Sequence, residues 1–153
     1  VDGSYGCGSG NDSMTVAGTV AGTGTIDLCG GDDRLTLQDG AVLNNAIDGG
    51  LGGNDSLVLD NAGQLDFDAG NTDGFELLRK TNTGTATLSG SQSFTGGTTI
   101  DGGTLDVDGA LETPTVALAD GATLNVDGAV QAGVGSAAAL SGDAGINTVR
   151  VGA

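Results

Sequence analysis

Leu88-Ser-Gly-Ser-Gln-Ser-Phe-Thr-Gly-Gly-Thr-Thr-Ile-Asp-Gly-Gly-Thr-Leu-Asp-Val-Asp-Gly109 is the stretch that decides the fold. Its apolar residues come one or two at a time, separated by Gly, Thr, Ser and Asp. Thr99-Ile100 is closed by Asp101-Gly102-Gly103, and Leu105-Asp106-Val107 is closed by Asp108-Gly109. Alternation with a period of two, cut off by Gly-rich corners, predicts very short strands joined by tight turns. No segment is long or periodic enough to predict a helix.

The same form recurs. Asp101-Gly-Gly-Thr-Leu-Asp-Val-Asp-Gly-Ala-Leu111 returns 19 residues later as Asp120-Gly-Ala-Thr-Leu-Asn-Val-Asp-Gly-Ala-Val130. In the N-terminal half, Gly10-Asn-Asp-Ser-Met-Thr-Val16 becomes Gly31-Asp-Asp-Arg-Leu-Thr-Leu37 and then Gly53-Asn-Asp-Ser-Leu-Val-Leu59, at offsets of 21 and 22. Gly145-Ile-Asn-Thr-Val-Arg-Val151 repeats that form near the end. Near-copies at such spacings predict stacked coils. A coil of about 19 to 22 residues with four-residue strands has room for three strands and three turns, so the chain should make about seven coils. The expected fold is all-β, a three-sheet parallel β-helix, with residues 1–153 forming one segment of a larger protein.

Composition fits this. The 153 residues include 31 Gly and one Pro, and the only aromatics are Tyr5, Phe67, Phe75 and Phe94. Hydrophobic residues make up 37% and keep a regular register, which disordered chains lack. A solenoid needs no large central core, because each coil buries small side chains against its neighbours. The net charge of −16 sets 20 acidic residues against Arg34, Arg79, Lys80 and Arg150. Such a surface repels phosphates and anionic lipid, so nucleic-acid binding and direct membrane insertion are not expected. No apolar run reaches the roughly 18 residues of a spanning helix. Val1-Asp-Gly reads as an internal start.

Gly63 to Gly84 is expected to continue the coils with a corner insertion. Leu65-Asp66-Phe67 and Phe75-Glu76-Leu77-Leu78 read as strands, Gly70-Asn-Thr-Asp-Gly74 as a turn, and Arg79-Lys80 as a solvated corner. Phe75 and Phe94, 19 residues apart, are expected to stack inside the coils. Cys7 and Cys29 are 22 residues apart, one coil in the same register. Equivalent positions on adjacent coils lie about 4.8 Å apart, within the Cα separation a disulfide tolerates. A Cys7–Cys29 bridge formed in an oxidising compartment is therefore expected.

Phe94-Thr-Gly-Gly-Thr-Thr-Ile100 followed by Gly102-Gly-Thr-Leu-Asp-Val107 closely resembles the passenger-associated transport repeat of type V autotransporter passenger domains. That motif is an aromatic-Thr-Gly-Gly-Thr-Thr-Val followed by Gly-Gly-Thr-Leu. Phe75-Glu-Leu77 and Gly84-Thr-Ala-Thr-Leu-Ser-Gly90 sit where the family places the strands leading into it, and the repeat-like region runs from about 75 to 130. The resemblance implies a right-handed parallel β-helix, passage through the periplasm and display outside the outer membrane by a translocator barrel. It further implies an autochaperone-like role in folding during secretion. The partners implied are molecules of a host-cell or neighbouring-cell surface, or further copies of the passenger.

Gly8-Ser-Gly-Asn-Asp-Ser-Met14 resembles the calcium-binding nonapeptide of repeats-in-toxin proteins, and stacking would align Asp12, Asp33 and Asp55 in one carboxylate column. Solvated turn residues are the preferred reading, with bound calcium in a β-roll the alternative. Asp66, Asp68, Asp106 and Asp108 could supply paired carboxylates for glycoside cleavage by a polysaccharide-acting β-helix. The chain has no His and few cations to assist such chemistry, so a charged outer face is preferred. Serine-protease chemistry lacks its His base, and zinc binding has only two Cys and no His to draw on. The expectation is a non-catalytic stalk, with no catalytic residue, no cofactor and no resident metal.

Overall fold

The computed structural model describes residues 8–131, 139–142 and 148–151. Each short strand finds its partner one repeat away in sequence, and every pairing is parallel. The first face is a seven-stranded sheet of β1 (Ser13–Val16), β4 (Arg34–Gln38), β7 (Ser56–Asp60), β10 (Leu77–Thr81), β13 (Gly97–Ile100), β16 (Thr115–Leu118) and β19 (Ala139–Gly142). The second face opens with the pair β2 (Thr19–Val20) and β5 (Val42–Leu43). It continues as β8 (Gln64–Asp68), β11 (Thr85–Ser89), β14 (Thr104–Val107), β17 (Thr123–Val126) and β20 (Thr148–Val151). The third face consists of β3 (Ile26–Asp27), β6 (Ile47–Asp48) and β9 (Thr72–Asp73), then a separate sheet of β12 (Ser91–Ser93), β15 (Ala110–Glu112) and β18 (Ala129–Gln131). The chain visits the three faces in turn, which makes it a β-solenoid.

Among the described residues, seven strands on the first face mark six turns, slightly fewer than the expected seven. Longer steps account for the difference: 25 residues from Ile47 to Thr72, 24 from Val116 to Leu140 and 25 from Thr123 to Thr148. The repeat offsets themselves predict the register. Ser13, Arg34 and Ser56 are stacked on the first face, and Leu105 lies beside Leu124 on the second. The copy at Gly145–Val151 behaves differently, since β20 joins the second face beside β17 rather than the first. Gly70–Gly74 is not only a turn: a short 3-10 segment, Ala69–Asn71, leads straight into β9. The insertion is visible as the 25-residue step from Ile47 to Thr72. Phe75 and Glu76 lie just outside β10, whose first residue is Leu77.

Alternation sends every second side chain inward. On the first face Leu35, Leu57, Leu78, Thr98 and Val116 form one column, and Leu37, Leu59, Lys80, Ile100 and Leu118 form another, all buried. The second face supplies Leu65, Ala86, Leu105 and Leu124 beside Phe67, Leu88, Val107 and Val126. Phe75 and Phe94 are both buried in the same core, as expected. Glycine columns mark the corners. A Cβ on Gly109 would sit 1.8 Å from the carbonyl oxygen of Gly90, and one on Gly128 would sit 1.9 Å from that of Gly109. Gly is required at these two corners because the next coil's backbone occupies the space of a side chain.

Candidate functional site

Four features carry concentrated chemistry, and the first is the corner preceding the first face. Asp12 N–H donates to Asp33 Oδ1 (2.6 Å), Asp33 N–H to Asp55 Oδ1 (2.7 Å), and Asp55 N–H to Glu76 Oε2 (2.8 Å). A second ladder runs the other way: Asp32 N–H donates to Asn11 Oδ1 and Asn54 N–H to Asp32 Oδ1. Asp33 and Asp55 are only 1% exposed, which corrects the expectation of solvated turn residues. The carboxylates tolerate burial because each caps an amide of the adjoining coil, and a buried charge needs such donors. Burial raises the pKa of Asp55; the Asp33 amide works against that rise, and the charges of Glu76, Asp33 and Asp32 add to it.

Lys80 lies at the next corner. Its alternation with Leu78 points it inward, and its side chain is fully buried in an aliphatic column between Leu59 and Ile100. The ammonium donates to the carbonyls of Thr81 (2.6 Å) and Asn82 (3.2 Å). Burial lowers its pKa, while Asp60 and Asp39 pull the other way. The expected solvated Arg79-Lys80 pair is therefore split. Arg79 faces outward and pairs with Asp101, whereas Lys80 is structural. The period-two register from Leu78 was the signal that placed Lys80 inside.

Asp106, Asp108 and Asp127 form the third feature. Their carboxylates lie within 4.8 Å of one another, the only such acidic group among the described residues. Burial, and then the charges of Asp108 and Asp127, raise the pKa of Asp106. Asp106 and Asn125 are in register on β14 and β17, and the Oδ1 of each is buried without a hydrogen-bond partner. These oxygens could face a hard cation. Asp66 is two strands away on β8, held by Gln64 Nε2 at 2.8 Å. The four carboxylates considered for glycoside cleavage are thus not brought together as one site. Cys29 sits at a corner with φ 75°, its N–H donating to Asp27 Oδ1, while Cys7 lies outside the described residues.

The fourth feature, a groove, follows the third face. Here the sheet is interrupted between β9 and β12, and Gln92 Nε2 crosses the break to Thr72 O (2.9 Å) and Thr72 Oγ1 (3.1 Å). A cleft of about 440 Å³ adjoins one of about 330 Å³, and Asp73, Ser91 and Gln92 line both. Nothing in the motifs pointed to this groove, since Thr72 and Gln92 come from segments with no shared pattern.

The architecture defines a class: a parallel β-solenoid, several of whose carboxylates cap corner amides. Residues 78–107, from β10 to the end of β14, match the family model described as Passenger-associated-transport-repeat. This repeat and the solenoid fit a segment of an autotransporter passenger, a family that implies secretion or surface display. No curated protein and no solved structure matches the chain significantly.

Proposed function

We propose that this chain is a non-catalytic stalk segment of a secreted or surface-displayed adhesin, and that the coils around 78–107 act as its autochaperone. One observation carries the reading. The coil of β10, β11 and β12 has strands of five, five and three residues, and the next coil has four, four and three. The coil just before them, β7 to β9, has five, five and two, and the first coil has only four, two and two. The best-paired coils are therefore β7 to β9 and β10 to β12, the second of which opens the repeat. Solenoid stability is close to a sum of coil and neighbour terms, so folding starts on the best-paired coils and propagates from them. Leu88, Phe94, Ile100, Leu105 and Val107 are all 0% exposed, so these apolar side chains of the region are fully buried.

Folding outside the membrane on such a template draws the rest of the chain outward. The full protein then uses a translocator barrel, and the acidic rod meets cell-surface molecules or other copies of itself. Passage through an oxidising compartment joins Cys7 to Cys29, and the rod requires no cofactor or resident metal. Deleting residues 88–109 from the full-length protein should abolish protease-resistant surface display. Normal display after that deletion would refute the role.

A further inference from the structure

The groove on the third face has a lining that selects its ligand. Ser93, Glu112 and Gln131 occupy one outward register position on β12, β15 and β18. Asp48 and Asp73 occupy another on β6 and β9. Between them lie Ser91 and the Gln92–Thr72 bridge across the broken sheet. The two clefts run from Thr25, beside β3, to Gln131 on β18. Six successive strands at the interstrand spacing span about 24 Å along the axis. Each cleft falls within or near the roughly 300–1,000 Å³ of ligand pockets.

The lining is carboxylate, amide and hydroxyl, with Ala46, Ile47 and Ala110 the only apolar side chains among the described residues, and Ile47 is 0% exposed. A peptide or lipid that gains affinity by burying apolar groups finds no pocket for them. Among the described residues no Lys or Arg lines either cleft, so an acidic polymer is repelled. Three carboxylates accept hydrogen bonds only, and the amides and hydroxyls both donate and accept. The matching ligand offers many hydroxyl donors and acceptors along an extended chain and carries no negative charge.

We propose that the third-face groove binds a neutral or amino-bearing polysaccharide lying along the solenoid axis, with Asp48, Asp73, Gln92, Glu112 and Gln131 as its hydrogen-bonding contacts. This site gives a location and a ligand class to the adhesive surface proposed above, and it rests on that reading only for its biological setting. Binding is measured on the whole 153-residue chain and display on the secreted protein, so either result can fail without the other.

The test is calorimetric titration with four hexamers: a neutral glucan, a deacetylated chitosan, an oligogalacturonate and hexalysine. The glucan or the chitosan should bind, and the oligogalacturonate should not. Asp73→Asn with Glu112→Gln should weaken binding at least ten-fold. Asn retains the oxygen that accepts Gly74 N–H at 2.9 Å, so the turn should survive. Asp66→Asn on the second face should leave binding unchanged. Binding to neither sugar overturns the proposal, as does an undiminished affinity in the double variant. Hexalysine binding as tightly as chitosan, with no glucan binding, also overturns it, because the groove would then be only an acidic surface.

Discussion

Replacing Gly109 with Ala tests the stacking directly. The added Cβ would lie 1.8 Å from Gly90 O, 2.7 Å from Gly90 N and 2.8 Å from Gly90 C. An ordinary carbon–oxygen contact is about 3.3 Å or more, so the coils must separate locally by roughly 1.5 Å. The same Gly90 oxygen accepts Ala110 N–H at 2.7 Å, and Gly109 O accepts Ala129 N–H at 2.8 Å. Movement of that size weakens both bonds, at about 1 kcal/mol each, and adds an overpacking cost of about 1–3 kcal/mol. A loss of about 3–5 kcal/mol corresponds to a melting point lower by roughly 10 °C for a chain of this length. The control is Gly24→Ala, where a Cβ meets nothing within 4 Å. That variant should change stability by no more than about 1 kcal/mol, in the favourable direction. Thermal melts followed by circular dichroism read both. If the two variants melt together, the close approach of neighbouring coils is not what requires Gly109.

Lys80→Met removes the buried ammonium and keeps an unbranched apolar stem. Folding lowers the Lys80 pKa, so the unfolded chain holds that proton more tightly and wild-type stability rises as pH climbs towards the ordinary lysine value of 10.5. The difference between wild-type and Met urea midpoints should therefore change as pH rises through the lowered folded value towards 10.5; parallel curves would show that the ammonium is not the group responsible. Asp55→Asn keeps an oxygen for Asp33 N–H and removes a charge that burial, Glu76 and Asp33 oppose. The raised Asp55 pKa means that proton binding adds stability fully below about pH 3.8, lost as pH rises through the folded value. The Asn variant should melt above wild type at pH 7 and converge with it near pH 3.8; an equal gap at both pH values counts against the argument. Addition of EDTA should leave the melting point unchanged, whereas a large fall would establish a bound cation at Asp12, Asp33 and Asp55 or at the Asp106 group. Thiol titration of the denatured, unreduced chain should find no free cysteine, and two titratable thiols would disprove the Cys7–Cys29 bridge.

Much of the fold was legible because a solenoid writes its register as sequence offset. Leu105 and Leu124 could be paired on paper because each coil rests on the next, and long-range contact becomes near-repetition. The transport repeat was legible for the same reason, since Gly96-Gly97 and Gly102-Gly103 punctuate two corners of successive faces. The groove was not legible. It exists where β9 and β12 fail to pair, and a failure to pair leaves no motif. The Asp12, Asp33 and Asp55 column was visible as a spacing, but its burial was not, because nothing in a repeated Gly-Asn-Asp shows which amide each carboxylate caps.

Period and punctuation alone therefore determined that this chain coils, that its strands are short and parallel, and which residues of the close repeats stack, though not the face taken by the copy at Gly145–Val151. The packed structure decided what each stacked residue does. Inside a column, the same inward position holds Leu59, Lys80 or Ile100, and only the carbonyls of Thr81 and Asn82 within reach make the lysine tolerable there. Alternation fixes a side chain's direction, whereas its charge state and partners depend on the coil above and the coil below.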